Sequence, residues 1–319
     1  MHRTRILLGL ALSTLALTVA AQDLVITNAR IIDGTDRVIA DGSVVIRDGE
    51  ITRVTAGTAN ARGARVIDAQ GMTVMPGYID AHRHIIRGDP DAWMREASAN
   101  NMREFLEAGF TTVLSAGDSL DHILALRSMT ESAEITGPRI LVSGRAPLAG
   151  PSGSGFPAGV DPARVDFSRP PHRPTEPAPA IPEEQTRALV RQHADAGVDF
   201  IKTVIITTPG GPEQNTLSII ADEAAQQGIA SITHAVTVVD TLAAVRAGTH
   251  SLVHSPHIGM LSEAETQEIV AADIPMTSTL AIFMPTFAED NRNIRNRTGE
   301  DNIPRFRDLD PFPMDTISS

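Results

Sequence analysis

Two histidines separated by one residue, His82 and His84, are the first side chains whose spacing indicates chemistry. They lie near the end of an apolar run, residues 74–85, that starts with turn-forming residues. On a β-strand, residues i and i+2 point the same way, so the two imidazoles share a face while Arg83 points elsewhere. Such a pair can chelate zinc or a similar metal. Two histidines with only structural hydrogen bonds fit the same spacing, so a metal site needs further ligands.

Three more candidate residues lie at or near the C-terminal ends of other strand-like runs: Lys202, His234 and His254. In a parallel barrel such strand ends face one shared mouth. Taken singly, the lysine would more often be a paired or solvent-reaching residue, and the histidines packing residues. Four histidines and one lysine on barrel strands are not expected by chance. The sequence therefore predicts a single site built from all five residues.

Composition narrows the chemistry of this site and of its partners. The chain has no cysteine, which excludes disulfides, thiolate ligands and a cysteine nucleophile. A metal must then be held by histidine, carboxylate or modified lysine. The net charge of −12 argues against nucleic acid as a partner, and no basic amphipathic segment indicates membrane-surface binding. A homo-oligomer is left open.

The N-terminal residues 1–21 have the pattern of a signal peptide. A basic start precedes a mostly apolar run over residues 6–19, and small residues offer a cleavage site before Gln22. A membrane anchor is the alternative, but the apolar run is short for a span and nothing resembling a stop-transfer segment follows. We expect an exported protein, periplasmic or secreted, that has no membrane attachment after cleavage.

The rest of the chain divides into two regions. Residues 22–73 contain short β-type runs with a hairpin signal at Asp48-Gly49, which predicts a small β-sandwich-like domain. Residues 74–319 alternate helices and strands, with strands expected to start near positions 74, 111, 139, 200, 230, 251 and 274. This alternation predicts an α/β fold, a (β/α)8 TIM-type barrel. Only seven strands are recognisable, so the eighth is missing from the prediction.

One segment, residues 146–182, interrupts the alternation and is rich in proline and glycine. Because it follows a strand, it would emerge on the C-terminal face of the barrel, where loops build active sites. A lid or substrate-shaping role and a surface insertion are both consistent with this composition. A phosphate-binding loop is not, because no Lys-Ser/Thr pair follows the glycines.

Residues 75–84 (MPGYIDAHRH) resemble the first-strand motif of the metal-dependent amidohydrolase superfamily. Lys202 in GVDFIK, His234 in THA, and His254 fall where members similar to imidazolonepropionase and to Xaa-Pro or Xaa-Arg/Lys dipeptidases place their ligands. The resemblance implies that His82 and His84 bind one metal and that His234 and His254 bind another. It also implies that Lys202, carboxylated by CO2, bridges two divalent ions, with zinc the expected metal.

The implied reaction is hydrolysis of a C–N bond in an amide, dipeptide or cyclic amide, by a hydroxide that both metals share. Asp80 has the strand parity of the two histidines and suits either a role behind the ligands or a structural hydrogen bond. His257 follows His254 closely enough to contact substrate. The resemblance also implies a general-base aspartate at the end of the eighth strand. None is assigned, because Asp308, Asp310 and Asp315 follow no apolar strand.

The missing strand leads to the expectation of a C-terminally truncated enzyme. Two other functions fit the same residues. The first is an inactive remnant that keeps part of the metal binding. The second is a lactonase or other esterase on the same site, because hydroxide attack does not distinguish esters from amides.

Overall fold

The structure is a computed structural model that describes residues 23–35, 37–149, 177–256 and 258–279. The chain divides into two compact units, Met1–Gly77 and Tyr78–Ser319. The predicted signal peptide, most of the proline- and glycine-rich segment, His257 and the three C-terminal aspartates lie outside the described residues. Within the described part, no helix has both the length and the hydrophobicity needed to cross a membrane.

The first unit is a mixed five-stranded sheet. Its strands are β1 (Leu24–Ile32), β2 (Val38–Arg47), β3 (Glu50–Ala56), β4 (Arg65–Asp68) and β5 (Thr73–Val74). The order is β3-β2-β1-β4, and β5 also pairs with β1. The predicted hairpin is confirmed, because Asp48 (φ 50°) and Gly49 (φ 82°) connect the antiparallel strands β2 and β3. Two successive positive φ angles match the twist of the flanking strands. Strands β4 and β5 run parallel to β1.

The second unit contains a seven-stranded parallel sheet covered by helices. The strands are β6 (Tyr78–Arg83), β7 (Phe110–Ser115), β8 (Arg139–Arg145), β9 (Phe200–Val204), β10 (Ala230–His234), β11 (Ser251–Val253) and β12 (Met276–Thr277). They are ordered β12-β11-β10-β9-β8-β7-β6, so each strand lies beside its neighbours in the chain. The described residues thus form a nearly closed barrel of the TIM type, one strand short of eight.

Seven helices alternate with these strands among the described residues. They are α1 (Pro90–Glu96), α2 (Ser98–Glu107), α3 (Leu120–Glu131), α4 (Glu183–Asp195), α5 (Glu213–Gln226), α6 (Val238–Arg246) and α7 (Glu263–Ala271). Local caps fix three helix starts: the side chains of Asp89, Thr237 and Ser262 each accept a hydrogen bond from a backbone N–H in the first turn. The predicted order of helices and strands is confirmed. The first barrel strand begins at Tyr78 rather than near 74, because Thr73–Val74 pairs with β1 instead.

The two faces of the barrel sheet bury different apolar clusters. Side chains from alternate positions pack against the helices in a large core that includes Met102, Ile123, Leu126, Ile140, Ile201, Leu217, Ile220 and Leu252. The other alternate positions face the barrel interior, where residues of five strands form a smaller cluster: Leu114, Leu141, Phe200, Ile232 and Val253. Two residues further along two of these strands, the interior positions become polar, at Lys202 and His234. The alternation therefore places polar groups at the C-terminal end of the barrel.

Candidate metal centre

Four imidazole rings meet at the C-terminal end of the barrel. His82 and His84, at the end of β6, have ring centroids 5.4 Å apart. His254, which follows β11, lies 5.1 Å from His82 and 4.4 Å from His234, the last residue of β10. The structure therefore brings together all four histidines that the sequence analysis grouped, although they come from three strands.

Lys202 is buried near this cluster, and its charge acts on His82, His84 and His234. It occupies an interior position of β9 and only 4% of its surface is exposed. Its Nζ has no hydrogen-bond partner among the described residues. Burial, together with the positive charge of Arg145, lowers the pKa of Lys202 to about 7. A substantial fraction of the side chain is therefore a neutral amine near neutral pH, and the neutral amine is the form that can react with CO2.

The environment also keeps the histidines uncharged. Burial is the largest cause that lowers the pKa of His82, His84 and His234. The positive charge of Lys202 lowers all three further, whereas Asp118 partly opposes the shift at His84. Neutral imidazole is the form of histidine that binds metals.

His254 has an unusual backbone conformation. Its φ of 75° lies in the left-handed region, which non-glycine residues seldom adopt. Ordinary strand alternation would turn its side chain away from the interior, because the preceding Val253 faces inward. The backbone N–H of His254 donates to the carbonyl oxygen of Thr277 at 2.8 Å, and Nδ1 lies 2.5 Å from the Thr279 hydroxyl. The local twist directs the ring into the cluster, and such strain is typical of functional positions.

Two carboxylates hold the segment that carries His82 and His84. Asp80 accepts a hydrogen bond from the backbone N–H of His82 at 3.1 Å. Asp118 accepts from the backbone N–H groups of Ile85 and Ile86 at 3.0 and 3.1 Å. It also accepts from the Ser115 hydroxyl at 2.7 Å. Asp118 therefore clamps the turn directly after His84, a role that the sequence analysis missed.

Arg83 and the remaining described histidines lie apart from the cluster. The Arg83 guanidinium stacks over the Phe105 ring at 5.6 Å, on the opposite side of β6 from its histidine neighbours. The other three histidines are held by separate partners: His122 by Asp91, His193 by the Arg145 carbonyl, and His250 by Ser231. His172 and His257 lie outside the described residues.

Arg145 is the second residue that the sequence analysis missed. The strand predicted to start near position 139 was recognised only as far as Val142. Strand β8 continues to Arg145, which is the register partner of Lys202 on β9. The rule that residues at strand ends face the barrel mouth would have identified it, had the strand been extended by three residues.

Comparison with known proteins places this fold in a family. Residues 73–306 match the model of the Amidohydrolase family. The chain belongs to the amidohydrolase family. The resemblance seen in the sequence motifs is thereby confirmed.

The curated relatives of this amidohydrolase-family chain match it over short segments. A dihydroorotase from Anaeromyxobacter dehalogenans (strain 2CP-C) is 37% identical over 90 residues, which are 28% of this chain and 20% of that protein. An L-hydantoinase from Paenarthrobacter aurescens is 27% identical over 121 residues, which are 38% of this chain and 26% of that protein. The matched segments thus span only a fifth to a quarter of these relatives.

Solved structures match the amidohydrolase-family chain over most of its length. A Xaa-Pro dipeptidase with methionine bound in its active site has a TM-score of 0.64 and 21% identity, and the match covers 88% of this chain and 70% of that one. Phenylurea hydrolase B has a TM-score of 0.62 and 20% identity, and the match covers 80% and 64% of the two chains. At these identities the likeness concerns the fold.

The donor atoms of the cluster suit the divalent metals that the family implies. Among the described residues, no three His, Asp or Glu side chains are already arranged around one point as metal ligands. Two buried nitrogens of the cluster, Nδ1 of His82 and Nζ of Lys202, nevertheless have no hydrogen-bond partner in the described structure. Buried polar atoms are normally paired, so these two point to a missing partner. The nitrogen donors of uncharged histidines fit zinc or a similar ion.

Proposed function

We propose that this protein hydrolyses an amide-type C–N bond in a small molecule, a cyclic amide or a dipeptide. One observation carries the proposal: four imidazoles meet at one end of the barrel, burial keeps at least three of them neutral, and a buried lysine amine without a partner among the described residues lies near enough for its charge to act on those three. Family membership supports it, as do the names of the relatives, which include dihydroorotase and L-hydantoinase.

The roles of the residues follow from their donor atoms. His82, His84, His234 and His254 would hold two divalent ions, with zinc the first choice, and Lys202 would bridge them as a carbamate. To form the carbamate, the lone pair of the Lys202 amine bonds to the carbon of CO2, and the nitrogen releases one proton to solvent. When bound, the metals would polarise the substrate carbonyl and lower the pKa of a bound water.

Hydrogen bonds from neighbouring residues hold the histidines of this site in position. Asp118 fixes the backbone that follows His84, and Thr279 fixes the ring of His254 through Nδ1. A partner on the second ring nitrogen, as Thr279 is for His254, holds the orientation and tautomer of a metal-binding imidazole. The sequence analysis assigned no general-base aspartate. This stays a prediction, because residues 280–319 lie outside the described residues.

Metal analysis and an amide assay test the proposed function. The purified chain is loaded with Zn²⁺ in the presence and absence of bicarbonate, and bound zinc is measured by elemental analysis. Hydrolysis is then measured on dihydroorotate, hydantoins, dipeptides, anilides and lactones. We expect two zinc ions with bicarbonate, fewer without it, and hydrolysis of at least one amide.

Variants distinguish zinc bound at the candidate centre from zinc bound elsewhere on the protein. His82→Asn and Lys202→Ala should each reduce bound zinc and amide hydrolysis, whereas His122→Asn, on helix α3, should change neither. Failure to bind zinc with bicarbonate present would refute the metal assignment. Zinc binding without hydrolysis of any amide would refute the proposed reaction.

Export is a separate proposal that rests on residues 1–21 alone. We propose that the protein is periplasmic or secreted and that its partner is a small-molecule or dipeptide substrate rather than nucleic acid. Fractionation of cells that express the full chain, with N-terminal sequencing of the product, tests both export and cleavage before Gln22.

A further inference from the structure

A guanidinium group stands beside the lysine of the candidate centre. Arg145 and Lys202 are register partners on the parallel strands β8 and β9, and the Ala146 N–H donates to the Lys202 carbonyl at 3.0 Å. Residues paired in this way point to the same face of a sheet. Because Lys202 faces the barrel interior, Arg145 faces the mouth of the same interior. Its charge acts on both Lys202 and His84, as expected for a residue that lies near them.

The neighbouring backbone leaves space for this side chain. A Cβ atom added to Gly117, just past β7, would lie 2.6 Å from Nε of Arg145 and 2.9 Å from its Cγ. The stem of Arg145 therefore crosses bare backbone at a position where any other residue would displace it. On the far side of β8, the ring of His193 packs against Gly144 and its Nε2 bonds the Arg145 carbonyl oxygen at 2.8 Å. The main chain and the stem of Arg145 are thus both held in place.

The guanidinium itself has no partner in the described structure. Arg145 is exposed and makes no ion pair or side-chain hydrogen bond with a described residue, whereas several arginines of the helical layer, including Arg127, Arg187 and Arg246, each contact a carboxylate. An unpaired arginine in open solvent is ordinary. Arg145, however, lies beside a buried amine and uncharged imidazoles. Its guanidinium N–H groups therefore face the candidate reaction site, and no carboxylate of the described residues binds them.

We propose that Arg145 binds the carboxylate of the substrate and that the substrate is therefore an amide with a free carboxylate next to the scissile bond. N-acyl amino acids and dipeptides with a free C-terminus belong to this class. The planar guanidinium matches the two oxygens of a carboxylate in a bidentate contact, which provides orientation as well as affinity. This inference rests on the proposed amide hydrolysis, because it names the substrate class for the same site.

Equilibrium binding tests the role of Arg145 without requiring turnover. The probes are a panel of N-methanesulfonyl-L-amino acids and the matching N-methanesulfonyl-L-amino acid amides, which differ only in carboxylate against carboxamide. A sulfonamide replaces the scissile amide in each probe, so binding is measured without turnover. Their affinities for the zinc-loaded protein are measured by calorimetry. We expect the best acid to bind about 100-fold more tightly than its amide, the size of a charge-assisted bidentate contact.

Substitutions assign this preference to one residue. Arg145→Gln should reduce the ratio of acid to amide affinity to about threefold, and Arg145→Lys should give an intermediate ratio because lysine keeps the charge but lacks the fork. Arg139→Gln removes an exposed arginine from the opposite end of the same strand and should leave the ratio at its wild-type value. Thermal melts of all variants confirm that the comparison is made on folded protein.

The outcomes for the two proposals are distinguishable. If no acid binds more tightly than its amide, or if Arg145→Gln keeps the preference, the assignment of Arg145 is wrong. Hydrolysis of uncharged amides without a preference for acids would also refute it, while supporting the proposed reaction. A preference for acids that depends on Arg145, in a protein that hydrolyses no amide, would uphold the binding role and refute the reaction.

Discussion

The imidazole rings of His82 and His254 lie edge to face with their centroids 5.1 Å apart, although four strands separate β6 from β11 in the sheet. Neighbouring strands are about 4.8 Å apart, so a flat sheet would hold these rings more than roughly 20 Å from each other. The contact therefore requires the sheet to curl almost into a closed barrel. The candidate centre forms only when the barrel does.

Replacing Lys202 by methionine should stabilise the metal-free protein and abolish bicarbonate-dependent zinc binding. Folding lowers the pKa of Lys202 from an ordinary value of 10.5 to about 7, mainly through burial. Keeping this amine in the folded state at pH 7 therefore costs roughly 4 kcal/mol, which methionine avoids. Denaturant unfolding at pH 7 measures the gain, which should be a few kcal/mol.

The pH dependence of the stabilisation by Lys202→Met provides a second test of the buried lysine. The cost is largest below pH 7, and it disappears as pH rises from 7 towards 10.5, where the unfolded lysine also becomes neutral. The stabilisation by Lys202→Met should shrink over that interval. Arg139→Met, which replaces an exposed cation on the adjacent strand, should give no such gain. Equal stability of wild type and Lys202→Met at pH 7 would contradict the buried, partnerless amine.

The metal-free protein should lose stability as pH falls below 6.5. Folding lowers the pKa values of His82, His84 and His234, chiefly by burial, so below pH 6.5 the unfolded chain takes up protons that the folded chain does not. Each such histidine lowers the free energy of unfolding by up to about 1.4 kcal/mol per pH unit. Thermal melts between pH 7.5 and 5.5 measure the slope.

A histidine substitution in the cluster should make this slope shallower. His82→Asn removes one of the three groups, and His122→Asn provides the comparison for a histidine outside the cluster. The difference between the slopes of these two variants isolates the contribution of His82. Melting temperatures that stay constant from pH 7.5 to 5.5 would show that the cluster is not held in its uncharged form.

Asp118→Asn should loosen the turn after His84. The carboxylate accepts hydrogen bonds from the N–H groups of both Ile85 and Ile86, and an amide in the same place can face only one of them with an acceptor. An unsatisfied partly buried N–H costs about 1–3 kcal/mol. We expect a loss of this size, measured by denaturant unfolding, with faster hydrogen exchange at the amides of residues 85 and 86.

The matched control for this change is Asp121→Asn in the first turn of helix α3. Asp121 is an exposed aspartate three positions further along the chain, and it belongs to a helix rather than to the clamp. Its substitution should change exchange at residues 85 and 86 very little. Similar exchange in the two variants would remove Asp118 from the set of residues that position His84.

Gly117→Ala should displace Arg145. The new Cβ would lie 2.6 Å from Nε of Arg145, in addition to the strain of a φ of 103°. Gly63→Ala supplies the control, because Gly63 also has a positive φ (78°) but a Cβ added there would meet nothing within 4 Å. Both variants should lose about 1 kcal/mol of stability from backbone strain.

Only the change at Gly117 should affect ligand preference. We expect Gly117→Ala to weaken binding of N-methanesulfonyl amino acids relative to their amides by about tenfold, and Gly63→Ala to leave the ratio unaltered. Calorimetry with the same probes measures both. A preference unchanged by Gly117→Ala would mean that the Arg145 stem moves aside without losing its contact.

The order of strands and helices could be predicted from the sequence because it depends on local signals. Apolar runs, turn residues and helix caps recur along the chain, and they give strand positions that the structure confirms to within a few residues. Lys202 and His234 follow from the same signals, since each lies two residues beyond an inward-facing apolar residue, Phe200 or Ile232.

Features that depend on contacts distant in sequence could not be predicted. The direction of the His254 ring is set by a left-handed φ that its neighbours in and beyond β12 stabilise, and no local pattern encodes that choice. The extension of β8 to Arg145 depends on pairing with β9, a strand that begins only at Phe200. Residues Thr73–Val74 belong to the first unit for the same reason, because they pair with the distant strand β1.

Gly117 has a consequence for how this site can change over evolutionary time. The position of the arginine depends on a side chain that is missing, because a Cβ at Gly117 would lie 2.6 Å from Nε of Arg145. A single codon change at this glycine would displace the guanidinium, although Gly117 supplies no nitrogen to the histidine and lysine cluster. Descendants of one ancestral gene can therefore diverge in the molecules that they select while they inherit the same reactive centre.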